Sequence, residues 1–136
     1  MIRRILIPGI TAGVVLFGLS YLILYVTIYL MPGLVETYYN PVYWPGNERA
    51  LLFFAHPFVL SLPLAWFWDR FKPRLSGPWL VRGLQFGLVY ALIATLPSMW
   101  ITFSAIDVPL TMVLTWFAYG LMQALVCGII MARMNP

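Results

Sequence analysis

The sequence predicts an all-α membrane protein, a four-transmembrane-helix bundle forming one domain over residues 1–136. Three observations carry this prediction. The chain holds four long apolar runs, its composition is 62% hydrophobic against 9% charged, and its basic residues gather at one set of run ends. The runs cover residues 5–31, 50–68, 83–104 and 109–132. A helix needs roughly 20 residues to cross a hydrocarbon core about 30 Å thick. Lipid offers no partner to a backbone N–H or C=O, so only helices and closed barrels span it. The runs lack the in/out alternation of barrel strands, which leaves helices.

The first run follows Arg3 and Arg4 and resembles a signal peptide in its charge order. It is much longer than a signal-peptide core and no small-x-small cleavage site follows it, so an uncleaved anchor is expected. The connection after it contains Glu36-Thr-Tyr-Tyr-Asn-Pro-Val-Tyr-Trp-Pro-Gly-Asn-Glu-Arg49. Its prolines and glycine fix a path, and its aromatic rings suit the membrane interface. Tyr39, Asn40, Tyr43, Trp44 and Arg49 form a candidate docking surface for another protein or a lipid headgroup. The competing reading is an interfacial roof over the bundle, with Glu48 and Arg49 capping the second span or pairing locally.

Pro57 and Pro63 interrupt the second run and Pro97 the third, where kinks are expected. The basic connection from Asp69 to Arg82 is punctuated by proline and glycine, as a helix-to-helix turn should be. Trp66, Trp68 and Trp79 flank it as one aromatic belt, with Tyr38, Tyr39, Tyr43, Trp44 and Trp100 as the other. In the fourth run Gly120, Ala124, Gly128 and Ala132 recur at four-residue spacing. Gly83 and Gly87 do so in the third, and Gly9 and Gly13 in the first. Small residues let membrane helices approach closely. These stripes serve either packing inside the bundle or a seam for a second chain.

Two short matches suggest a repeat. Phe17-Gly-Leu-Ser-Tyr21 parallels Phe86-Gly-Leu-Val-Tyr90, and Phe54-Ala-His-Pro57 parallels Phe117-Ala-Tyr-Gly120. Two repeated hairpins about an axis along the membrane normal would produce this, as would chance in apolar sequence. Charge sets the expected orientation. Arg3, Arg4, Arg70, Lys72, Arg74, Arg82 and Arg133 lie on one side and Arg49 alone on the other. The positive-inside rule then puts both termini in the cytoplasm. The net charge of +4 is explained by that rule and by anionic lipid, without a nucleic-acid partner or motif.

Few residues offer chemistry. Cys127 is the only cysteine, which excludes an intramolecular disulfide, and burial should leave it an inert thiol. No Asp, Glu, Lys or Arg falls mid-span, which argues against proton-coupled export and redox pumping. No nucleophile–base pair or acidic cluster is present, so neither catalysis nor a metal is expected. His56, Tyr119 and Gln123 are the candidate ligand-binding set, with His56 and Tyr119 placed at similar depth as hydrogen-bond partners. Gln85, Thr95, Ser98, Thr111 and Thr115 are further polar residues within or beside the spans. No cofactor is predicted. A haem or chlorophyll on His56 would need a second axial ligand, such as Met99, Met112, Met122 or a neighbouring subunit's histidine.

In layout the chain resembles small bacterial integral membrane proteins with four helices and no assigned reaction. The resemblance lies in Tyr38 to Trp44, in Arg82-Gly-Leu-Gln-Phe-Gly87 and in Tyr119-Gly120 through Ala132. It implies a multi-pass protein of the bacterial inner membrane and supplies no activity. The leading functional expectation is a non-catalytic accessory or structural subunit of a larger membrane complex, respiratory or photosynthetic in type, or a self-associating bundle. Its partners would be lipids and other subunits or a second copy. The alternative is a binder or carrier of a small apolar ligand (lipid, quinone or porphyrin) in a pocket near His56.

Overall fold

The structure, a computed structural model, describes residues 2–43 and 46–136, apart from the side chain of Ala50. Trp44 lies outside the described residues. The apolar runs form helices α1 (Ile2–Leu30), α3 (Ala50–Phe71) and α6 (Leu110–Met134). The third run is built in three pieces: α4 (Trp79–Tyr90), a π-helical turn (Ala91–Thr95) and α5 (Leu96–Ala105). A short α2 (Pro32–Tyr38) follows α1, with proline in its first turn where the missing N–H costs nothing. Among the described residues four helical segments are long and apolar enough to span a membrane. The fold is an all-α four-helix bundle.

Proline acts differently in the two spans it interrupts. Helix α3 runs through Pro57 and Pro63 without a break. In the third span the π turn comes immediately before Pro97. Pro97 has no N–H to give the carbonyl of Ile93, and its ring crowds that carbonyl, so the turn there is widened. At the other end of this span, Gly77 at φ +101° reverses the chain and Pro78 precedes Trp79. The helix therefore starts earlier than hydropathy alone suggests.

The helices pack as two hairpins, α1 on α3 and α4 on α6, with α6 also meeting α1 and α3. Each hairpin closes on glycine. A Cβ on Gly9 would lie 2.9 Å from Leu62 Cδ2, and one on Gly13 would lie 3.0 Å from Ser61 Oγ. In the second hairpin a Cβ on Gly87 would lie 2.7 Å from Leu125 Cα, and one on Gly83 would lie 2.8 Å from the Gly128 carbonyl oxygen. Gly18 faces open space. Of the two glycines in the aromatic–glycine sequence match, Gly87 makes a close helix contact and Gly18 makes none. The hairpins differ in what their glycines meet: side chains of α3 at Gly9 and Gly13, backbone of α6 at Gly83 and Gly87.

The core lies toward the end of the bundle that carries the basic residues. Leu16, Leu64, Trp68, Phe86, Cys127 and Met131 are buried there. Trp68 and Phe86 meet edge to face, with ring centroids 5.3 Å apart. Trp68 is fully buried and does not belong to the aromatic belt that its position beside the basic turn suggests. Its Nε1–H donates to the Asn135 carbonyl at 2.7 Å, because the last turn of α6 folds over it. Around that carbonyl Asn135 Nδ2 donates to Asp69 Oδ1 (3.0 Å) and to the Arg4 carbonyl (3.3 Å). Lys72 Nζ donates to Asn135 Oδ1 at 2.7 Å and lies 3.6 Å from Asp69. One asparagine thereby ties together the start of α1 and the ends of α3 and α6.

Trp66 and Trp79 do face outward, with the Arg70 and Arg133 guanidinium groups 4.4 and 5.5 Å from their ring centroids. Much of the remaining surface is apolar, including Leu51, Leu92, Ile93 and Ile101. The accessible surface of 8855 Å² exceeds the roughly 7,200 Å² expected of a compact soluble monomer of this mass. Hydrocarbon, not water, is the solvent that such a surface suits.

Candidate functional site

Away from the basic end the bundle opens. Helix α3 meets α4 at the basic end, where Phe67, Trp68 and Phe71 pack on Phe86, but its other half stands off from the π turn and α5, leaving a cavity of about 440 Å³ between them. That volume falls within the roughly 300–1,000 Å³ of small-molecule pockets. Phe53, His56 and Leu60 form the α3 wall. The opposite wall consists of Tyr90, Ala94, Thr95, Ser98 and Met99, carried by the end of α4, the π turn and the start of α5. Trp116, Tyr119, Gly120 and Gln123 of α6 form the back.

Sequence explains why each wall sits where it does. A Cβ on Gly120 would lie 2.8 Å from Thr95 Cγ2, so glycine there lets the π turn approach α6. The π turn and Pro97 then carry the third span onward as α5, which with Tyr90 at the end of α4 faces the open side opposite α3. With a rise of 1.5 Å per residue, His56 sits roughly 9 Å along α3 from its N-terminus and Gln123 roughly 20 Å along α6 from its own. The cavity therefore runs from near headgroup depth to the middle of the bundle.

The three residues picked out by sequence as a ligand-binding set, His56, Tyr119 and Gln123, all line this cavity. Their roles differ. His56 and Ser98 are exposed at its mouth. His56 and Tyr119 are not hydrogen-bonded to each other, contrary to expectation. Tyr119 instead pairs with Ser20 of α1. The Ser20 hydroxyl donates to the Leu16 carbonyl at 2.7 Å, so the Tyr119 hydroxyl is the donor in that pair. Gln123 is the single buried residue of the lining, 2% exposed, and its Nε2 has no protein partner. Among the described residues no Asp, Glu, Lys or Arg lines the space. Of the three methionines offered as axial ligands only Met99 borders it; Met112 is buried elsewhere.

The glycine stripe of α6 is occupied within the chain. Ala124, Gly128 and Ala132 are buried, and Gly128 abuts Gly83 and Gly87. Gly83, Gly87, Ala124 and Gly128 make the α4–α6 contact, Gly120 meets the π turn at Thr95, and Ala132 is buried in the core cluster.

The connection between α1 and α3 is pinned to the bundle. Tyr38 Oη lies 2.8 Å from Thr115 Oγ1, which itself donates to the Met112 carbonyl at 2.7 Å, so Tyr38 donates. Tyr43 donates to the Asp107 carbonyl at 3.0 Å, and Asn40 Oδ1 accepts from the Val42 N–H at 3.0 Å, shaping a turn. Tyr39, Asn40 and Arg49 remain exposed, while Tyr43 is half-buried. Asn47–Arg49 form a 3₁₀ turn, and the Arg49 side chain makes no capping hydrogen bond to α3. Among the described residues no group of His, Cys, Asp and Glu could hold a metal ion.

Sequence reasoning missed the second wall and the Asn135 tie. Thr95 and Ser98 stood out only as polar residues within a span, and Ala94 carried no signal. Asn135 was legible only as the polar residue after the last apolar run. Comparison with protein-family models, with curated proteins and with solved structures gives no match, so the resemblance in layout has no matched family behind it.

Proposed function

We propose that this multi-pass membrane protein binds or carries a small apolar molecule in the lateral cavity beside His56. We place it in a bacterial plasma membrane with the basic end of the bundle facing the cytoplasm. The observation that carries the reading is the cavity itself. Aromatic and aliphatic side chains line it, and one buried amide, Gln123, is left without a protein partner. Predominantly apolar walls with a few placed polar groups are what ligand sites generally present. The reading as an accessory subunit or self-associating bundle draws less support, because most of the small-residue stripe that motivated it packs within the bundle.

The test is to purify the protein from its membrane in mild detergent, extract it and identify what co-purifies by mass spectrometry. A near-stoichiometric apolar molecule, retained by the native protein and lost on Ala94→Phe, is the expected result. A Soret band lost on His56→Ala would select a porphyrin among the candidate ligands. An empty protein, or an identical extract from Ala94→Phe, would refute the reading.

A further inference from the structure

We infer that the occupant of the cavity is an uncharged, carbonyl-bearing, lipid-soluble molecule whose carbonyl oxygen accepts the Gln123 Nε2–H. This rests on the cavity being a ligand site and specifies the chemistry it selects. The lead observation is that Gln123 lines the cavity and that its buried Nε2 has no acceptor on the protein. A buried donor without a partner loses its hydration and gains nothing in return. A plain hydrocarbon chain would leave that loss uncompensated.

Charge narrows the class further. The lining holds no Lys or Arg to neutralise a phosphate or carboxylate, and no Asp or Glu to neutralise an amine. An ionised group at mid-bundle depth without such a partner is costly. A neutral carbonyl needs only a donor, and the amide supplies one. Tyr90, Thr95 and Ser98 add hydroxyls along the facing wall, while Phe53 and Trp116 offer ring faces for flat or chain-like parts of a ligand. Two sources share this chemistry: the ring carbonyls of a quinone and the ester carbonyls of a neutral lipid.

The experiment uses the full chain in lipid nanodiscs with three radiolabelled probes: decyl-benzoquinone, a diacylglycerol and decylbenzene. At least one carbonyl probe should bind saturably and at least tenfold more tightly than decylbenzene. Gln123→Met should weaken that probe about three- to tenfold, as the loss of one hydrogen bond does, and leave decylbenzene unchanged. Should Gln123→Met fail to fold, Gln123→Asn withdraws the amide by one methylene and reads the same loss. Ala94→Phe, which fills the cavity, should abolish binding of every probe. A preference for the quinone or for the diacylglycerol identifies the source. If decylbenzene binds as tightly as both carbonyl probes, or Gln123→Met changes nothing while Ala94→Phe still blocks, the carbonyl class is overturned and the cavity stands. If no probe binds, or Ala94→Phe has no effect, the cavity reading falls as well.

Discussion

The two ends of this bundle are built from the same kind of apolar helix, yet one end is closed and the other open. At the basic end glycines bring helices together: Gly83 against the Gly128 backbone, Gly87 against that of Leu125, and Gly9 against the Leu62 side chain. Trp68 and Phe86 fill what remains, and Asn135 fastens three helices across the surface. At the opposite end Gly120 admits only the edge of a π turn, and no residue fills the space between α3 and α5. Between helices in lipid there is no hydrophobic driving force, so contact has to come from close packing and hydrogen bonds. Where small residues are paired the helices meet, and where aromatic residues face one another across a widened turn they stand apart.

Breaking the closed end should have the largest effect. In Gly128→Leu the new Cβ would collide with the Gly83 carbonyl oxygen, which is backbone and has nowhere to move. A loss of more than about 3 kcal/mol is expected, seen as loss of the monodisperse species in size-exclusion chromatography. Gly18→Ala is its control: with nothing within 4 Å, it should be neutral or stabilise α1 by up to about 1 kcal/mol. A neutral Gly128→Leu would mean the α4–α6 contact is looser than described.

Trp68→Phe comes next. It removes the hydrogen bond to the Asn135 carbonyl and part of a fully buried ring. A cost of about 2 kcal/mol is expected in the thermal midpoint in detergent. Were Trp68 a headgroup anchor, the same change would cost almost nothing. At the open end Tyr38→Phe loses one half-buried bond to Thr115 and should cost about 0.5–1 kcal/mol. Its sharper readout is proteolysis of the connection between α2 and α3, which should become faster. The smallest stability change belongs to Ala94→Phe, within about 0.5 kcal/mol, because the ring enters existing space. Ligand retention is what that variant should lose.

How much of this was legible beforehand follows from which signals lipid imposes. The four spans were readable because a bilayer demands long apolar helices. The glycine stripe was readable as a packing surface, though its spacing alone could not say whether α4 or a second chain would cover it. His56, Tyr119 and Gln123 were conspicuous as polar side chains in apolar surroundings, and the cavity brings them together. That Tyr119 turns to Ser20 and not to His56 depends on the placement of α1, which no local pattern encodes. The π turn is a related case: Pro97 signals a disturbance, but a proline alone does not say whether the helix kinks or widens, since α3 runs through two prolines unbroken. Trp68 was misplaced because a tryptophan near a basic helix end looks the same whether it anchors to headgroups or lies beneath another helix.

The contrast between the two ends can be measured in one sample. With 5-fluorotryptophan incorporated and protein in nanodiscs, dissolved oxygen under pressure shifts the fluorine resonance of each ring it can reach. The resonance of Trp116, which borders the cavity, should shift strongly, and less so in Ala94→Phe, whereas that of Trp68 should barely move. Equal shifts at Trp116 and Trp68, or a Trp116 shift that Ala94→Phe leaves unchanged, would contradict an open end facing a closed one.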